Sequence, residues 1–177
     1  MKTRLFLLFT TVCLISCISM KAQKIQSTFW ECTFGMTDAQ VKEVLTKAGK
    51  MPDIGKSGNY YLKNATINST NYSTVCMMFS PVDGAFYKLI GSNEFTSKTQ
   101  ADSCYEAQLS LFRIQYEQLQ IIRKPANAIK MCSYVDSDNA FYMGLFKNQS
   151  KDGKIVYYVN VNFWNKYFDN RIRESNQ

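Results

Sequence analysis

The chain has 177 residues, 46% of them hydrophobic and 14% aromatic, which suits one domain with a sizeable core and excludes a low-complexity or disordered protein. Lysine and arginine number 21 against 14 acids, a formal net charge of +7, but no basic run exceeds two residues and no nucleic-acid motif is present, so nucleic acid is not an expected partner. There is no histidine, which removes Ser-His-Asp and Cys-His catalysis and most catalytic zinc sites.

Residues 1–23 have the layout of a secretory signal peptide. Lys2 and Arg4 form a positive start, residues 5–19 are apolar and uncharged, and Lys21-Ala22-Gln23 returns to polar sequence. The apolar run is shorter than the roughly 20 residues a membrane span needs. The reading favours cleavage near Ala22 or Gln23 and a secreted or periplasmic domain over residues 24–177. The alternative is a lipobox, Leu14-Ile15-Ser16-Cys17, which would anchor the protein to a membrane through a lipid on Cys17. The signal takes three of the 21 basic residues with it and none of the acids, so part of the net charge belongs to the signal.

Along the mature chain, Val41, Val44, Leu45 and Ala48 recur at helical spacing, and the pattern predicts a helix over 39–48. Thr37 is the expected N-cap and Gly49 the expected stop, with Pro52 soon after. Residues 51–58 read as a loop. Residues 59–67 and 72–79 read as strands joined by a polar turn over 68–71. The segment Pro81-Val82-Asp83-Gly84 then turns the chain into a third strand over 85–95. A second helix is expected over 99–121. Tyr105, Leu109, Phe112, Tyr116 and Leu119 lie on one face, and Ala107, Leu111 and Ile114 on a second flank. That leaves a narrow polar stripe of Glu106, Arg113, Glu117 and Gln120, so the helix is expected to be well buried. Strands follow over 128–135, 140–147 and 154–164, the last two joined by a turn over 148–153, and a short helix over 166–174 ends the chain.

The order helix, three strands, helix, three strands, with Asp83-Gly84 and Asp152-Gly153 each before a closing strand, predicts an α+β fold. It would be an antiparallel twisted sheet with helices on one face, and the repeated α-βββ order is what a duplicated unit would leave. Cys32, Cys76, Cys104 and Cys132 are even in number and would sit in an oxidising compartment, so two disulfides are expected. Three pairings are open. One bridge per half, Cys32–Cys76 and Cys104–Cys132, follows from the two-unit layout. The alternative is four buried, reduced thiols.

The segment from Phe34 to Leu45, with Gly35-Met36-Thr37, Val41 and Leu45 at helical spacing, is followed by Gly49, Pro52 and the aromatic strand Asn59-Tyr60-Tyr61-Leu62. Residues 75–79, Asp83-Gly84 and residues 85–89 continue the pattern. This third of the chain resembles the SmpA/BamE-type envelope lipoproteins and the related beta-lactamase-inhibitor-protein-like fold. The resemblance implies a small extracytoplasmic module that contacts other macromolecules, with no catalytic residues to carry over.

No motif for catalysis, phosphate or a cofactor stands out. Asp136-Ser137-Asp138-Asn139 faintly resembles a calcium loop but lacks the glycine and distant glutamate, and reads better as a polar turn. The alternation of the last strands is the remaining signal. Ile155, Tyr157, Val159, Val161 and Phe163 are assigned to the core. Val156, Tyr158, Asn160, Asn162 and Trp164 lie opposite, and the neighbouring strand offers Tyr142 and Phe146. Tyr142, Phe146, Tyr158, Asn160, Asn162 and Trp164 are therefore the expected contact residues for a protein or glycan on an open sheet face. A binding module without cofactor or metal is the first reading. A lipid-anchored assembly or self-associating domain comes next, and a hydrolase using two carboxylates comes third.

Overall fold

The structure, a computed structural model, describes residues 24–116, 119–120 and 127–176. The expected signal peptide over residues 1–23, with its expected cleavage near Ala22 or Gln23 and the alternative lipid site at Cys17, lies outside these residues.

Helix α1 (Asp38–Lys47) begins where local chemistry requires. Thr37 is extended, its hydroxyl accepts from the Gln40 amide, and Gln40 Oε1 in turn accepts from the Thr37 N–H at 2.9 Å, a reciprocal capping box. Val41 and Leu45 form its fully buried stripe, and Gly49 closes it at φ +67°. Helix α2 (Lys98–Gln115) buries Ala101, Tyr105, Leu109 and Phe112. Helix α3 (Lys166–Ser175) is capped by Asn165.

The strands form one seven-stranded sheet in the order β3-β4-β5-β6-β9-β8-β7, every neighbouring pair antiparallel. They are β3 (Asp53–Ile54), β4 (Tyr60–Ile67), β5 (Thr70–Phe79), β6 (Phe86–Phe95), β7 (Ala128–Val135), β8 (Asn139–Gln149) and β9 (Ile155–Asn165). Two meanders, β4-β5-β6 and β7-β8-β9, therefore meet along β6 and β9 in the middle of the sheet. The fold is α+β with helices packed on one face, as the element order predicts. Phe163, Phe141, Phe86, Leu89, Met77, Val75, Val159, Val161, Met143 and Leu145 point into that face and are fully buried. Helix α3 crosses the end of the sheet. Its Arg171 reaches Asp83 in the β5–β6 turn at 2.6 Å, and Lys166 Nζ donates to the Asp136 carbonyl in the β7–β8 turn.

Several expectations are corrected. A hairpin of two-residue strands, β1 (Thr28–Phe29) and β2 (Cys32–Thr33), precedes α1 and was not anticipated. Its turn residues, Trp30 and Glu31, hold positive φ angles (49° and 68°) without being glycine. The hairpin stays because Phe29 and Cys32 are buried and the Trp30 indole donates to the Thr66 carbonyl at 3.1 Å. The expected loop over 51–58 contains the short edge strand β3.

Helix α2 stops six residues before the expected end at 121. Tyr116 leaves the helix in an extended conformation so that its ring can stack on Tyr134 at 5.2 Å. Gln120 then exchanges two backbone hydrogen bonds with Ser133 on the edge of β7, both at 2.8 Å. The second flank of α2 is not buried: Leu111 is 51% and Ile114 81% exposed. The core wraps only one side of the helix, whatever its apolar arc.

The expected disulfides are absent. Cys32, Cys76, Cys104 and Cys132 are free thiols. Cys76 pairs across the strands with Tyr61 and Ile90 on the sheet face turned away from the helices, whereas Cys32 is buried on the helix side against the Val41 carbonyl. The sheet itself separates that proposed pair. Cys104 faces Gln108 and Asn93, and Cys132 lies on β7 beside Tyr105.

The Asp136 turn is held together by hydrogen bonds to its first residue. Its carboxylate accepts the backbone N–H groups of Asp138, Asn139 and, over 111 residues, Ile25. Among the described residues no cluster of acids and thiols could hold a metal ion, and no helix is long and apolar enough to cross a membrane.

Candidate functional site

All six expected contact residues lie on one face of the sheet, the face opposite α1 and α2, because β8 and β9 pair in register over eleven residues. The register sets out rows across the strands. Trp164 stands between Ala140 and Lys88; Asn162 between Tyr142 and Ile90; Asn160 between Gly144 and Ser92; Tyr158 between Phe146 and Glu94. Cys76, Tyr61 and Met78 extend the rows onto β5 and β4.

Within this grid the side chains contact one another. The Tyr142 and Trp164 rings meet edge to face at 5.4 Å, and Lys88 Nζ lies 6.0 Å from the Trp164 ring centroid, at the limit of a cation–π contact. Ser92 Oγ donates to Asn160 Oδ1 at 2.6 Å. Phe146 leans back along β8 so that its ring covers Gly144, where a Cβ would lie only 2.6 Å from the ring carbons. A side chain at this position would therefore have to push the Phe146 ring aside.

The face is less open than alternation alone implies. Tyr142, Phe146, Tyr158, Asn160 and Trp164 are half-buried, and Asn162 is 1% exposed. Its Nδ2 and Oδ1 are both buried and have no hydrogen-bond partner among the described residues. The core assignment of β9 needs a matching correction. Val159, Val161 and Phe163 are fully buried, but Ile155 is 46% exposed and Tyr157 half-buried, while Val156 on the opposite side is buried. The first residues of β9 run beyond the helix layer, so the inside and outside of the strand lose their meaning there.

Electrostatics add one cation. Burial holds the Lys88 ammonium below the usual lysine range, opposed by the Asp169 carboxylate and the Cys76 sulfur and reinforced by Arg173. At the other end, burial and then the Glu94 carboxylate hold the Tyr158 hydroxyl above the usual tyrosine range.

Lys88, Ile90, Ser92 and Cys76 belong to this face and were not anticipated. A register shift at Met78/Phe79 makes Tyr87 an extra residue in β6, so alternation along that strand slips by one. The signal that could have found them is the pair Tyr87-Lys88 just after the Asp83-Gly84 turn, where a bulge is common.

Two concavities elsewhere gather none of the six expected contact residues. One of about 240 Å³ lies between α2 and β7, beside the ion-paired cluster of Lys130, Asp102 and Glu106. Another, of about 430 Å³, lies along β4 between Lys50 and Asn64.

Fold and face together define a small α+β protein that carries an aromatic, carboxamide-bearing surface on a helix-free sheet face. No family model, curated protein or solved structure matches the chain.

Proposed function

We propose that the protein is an extracytoplasmic binding module that contacts a protein or glycan through the helix-free face of its sheet, without a cofactor. One observation carries this reading: Tyr142, Phe146, Tyr158 and Trp164 gather on one face, half-exposed, beside Asn160 and Lys88. Aromatic rings supply large contact area at low entropy cost, and a solvated face of the same strands would carry Lys, Glu and Thr instead. The resemblance of residues 34–90 to envelope modules points the same way. The carboxylates nearest the face favour binding over hydrolysis. Glu94 lies beside Tyr158 and Asp169 near Lys88, at opposite ends of the stretch of β6 from Lys88 to Glu94, about 20 Å at strand rise. A glycosidase pair needs roughly 5–10 Å.

The test is capture of partners from envelope extract by the mature domain and by its Tyr158→Ala and Trp164→Ala variants. Both should weaken binding by about 1–3 kcal/mol while leaving the thermal transition in place. Undiminished capture by both variants refutes the reading.

A second reading, self-association, is favoured by the bare flank of α2, where Leu111 and Ile114 stand exposed beside Ala107. Sedimentation of the wild type and of Ile114→Lys separates it: a dimer that the variant dissolves favours α2 as the working surface.

A further inference from the structure

We propose that Trp30 is an edge guard: its indole takes the place of a neighbouring strand on the outer edge of β4 and keeps that edge from pairing with β4 of a second copy of the protein. This is independent of the helix-free face and of what binds there.

An edge strand presents backbone N–H and C=O groups with which any other strand can pair, and a strand rich in aromatic and branched residues is the most prone to it. β4 is the long strand at one margin of the sheet. Its outer neighbour β3 reaches only Tyr60 and Tyr61. Past Tyr61, no strand lies outside β4 among the described residues. The Thr66 carbonyl accepts at 3.1 Å from Trp30 Nε1, a donor that belongs to neither β3 nor β5. The indole therefore stands where the next strand would donate. Between these two contacts the edge is blunted by a charge and a kink: exposed Lys63 is ion-paired to Asp53 at 3.1 Å, and Asn64 drops out of the ladder with a φ of 50°. At the opposite margin Gln120 exchanges its two backbone bonds with Ser133 of β7. Each margin of the sheet thus ends in a contact from elsewhere in the chain.

The turn that presents Trp30 is an expensive one. Phe29 pairs with Cys32, so Trp30 and Glu31 alone make the turn, with φ angles of 49° and 68°. Two-residue hairpin turns with positive φ at both positions favour Asn, Asp and Gly. The β4–β5 turn, with φ angles of 48° and 63°, follows that rule and places Asn68 first. Trp30 breaks the rule, so its side chain and not its backbone accounts for its place. The core does not call for the indole, because buried Phe29 and Cys32 already hold the hairpin. The Thr66 carbonyl does not call for it either, since water satisfies the backbone of an exposed residue. What the half-buried indole adds is cover over the edge. Lys50 Nζ, 5.2 Å from the ring centroid, sets a positive charge beside that cover, and an incoming copy of the same edge would carry the same charge.

The experiment is sedimentation velocity of residues 24–177 at micromolar concentrations, with thermal unfolding alongside, for the wild type, Trp30→Gly, and Trp30→Gly combined with either Thr66→Lys or Ile114→Lys. Glycine suits a positive φ, so the hairpin keeps its turn while the edge loses its cover. Trp30→Gly should associate at least tenfold more strongly than the wild type. Thr66→Lys places a charge on the bared edge and should return the double variant to the wild-type state, whereas Ile114→Lys, on the flank of α2, should not. A Trp30→Gly protein that unfolds as cooperatively as the wild type and sediments like it overturns the proposal. So does an association that Ile114→Lys dissolves and Thr66→Lys does not. Should Trp30→Gly lose its thermal transition, Trp30→Asn takes its place with the same outcomes, since asparagine also suits the turn. Loss of the transition in both variants would make Trp30 a core residue and overturn the proposal as well.

Discussion

At Asn162 burial and polarity oppose each other. A buried carboxamide with neither atom paired costs about 1–3 kcal/mol relative to an apolar side chain of the same shape. Asn162→Leu is therefore expected to raise stability, by about 1–2 kcal/mol in urea denaturation, and a loss of that size would mean that the amide has a partner in the folded protein. The thiols make a second prediction at this scale. Burial, reinforced by the Glu31 carboxylate, pushes the Cys32 thiol up to about 11, and burial also raises Cys76, Cys104 and Cys132. In an unfolded chain these thiols ionise near 8.5. Their contribution to stability is thus whole below about pH 8.5 and is lost as pH rises through about 11, because only the unfolded chain releases the protons. Lys88 works in the opposite sense, since its depressed ammonium penalises the fold at low pH and the penalty lifts toward the usual lysine range. The four thiols act together against one lysine, so the urea midpoint should be level from pH 7 to 8 and fall between pH 9 and 11. A level midpoint up to pH 11 would contradict the burial of the thiols.

Strand pairing, at the scale of elements, turns on two glycines with different neighbours. In β6, a Cβ on Gly91 would lie 2.9 Å from the Tyr72 ring and 3.0 Å from Val161 Cγ2, both held in the core. In β8, a Cβ on Gly144 meets the outer edge of the half-exposed Phe146 ring at 2.6 Å, and the Lys130 carbonyl only at ordinary contact distance, 3.5 Å. Gly91→Ala should cost about 1–3 kcal/mol by overpacking, and Gly144→Ala much less. Thermal unfolding of the two variants side by side checks the contrast. Gly144→Ala should also displace Phe146 from the face, which makes it a mild probe of the binding surface that leaves the core intact.

Across the whole molecule, the segment around Ile25 and Phe29 closes the core. Ile25 and Phe29 are almost fully buried, Phe29 packs on Phe163 at 5.1 Å, and the Ile25 N–H donates to Asp136 at 2.6 Å across the length of the chain. Burying each such side chain contributes about 1.5–3 kcal/mol, against a net stability of about 5–15 kcal/mol for a domain. A chain that begins at Gly35 should therefore lose cooperative unfolding in calorimetry, while the same sheet and helices remain encoded. A sharp transition in the shortened chain would show that the hairpin is an accessory.

The sequence by itself determined whatever depends on neighbours a few residues away. Thr37, Gln40 and Gly49 mark the ends of α1 through their own hydrogen bonds and φ preferences, and the strands over 128–135 and 154–164 follow from period-two alternation. These elements, in that order, leave an antiparallel α+β sheet as the economical arrangement, and alternation placed the six expected contact residues on one face. Only the tertiary structure decided the rest, because each remaining feature is set by atoms distant in sequence. Tyr116 ends α2 early for the sake of Tyr134 and Phe141. The bare flank of Leu111 and Ile114 reflects which side of the helix the sheet reaches. The β1–β2 turn tolerates positive φ at Trp30 and Glu31 because of contacts with Thr66 and the core. Cys32 and Cys76 stay apart because the sheet stands between them. Asn162 is unpaired because Ile90 and Tyr142, rather than polar partners, face it across the strands. Caps and periodicity are local free energies that a short segment carries with it, whereas burial, register and the pairing of buried polar atoms are properties of two strands at once.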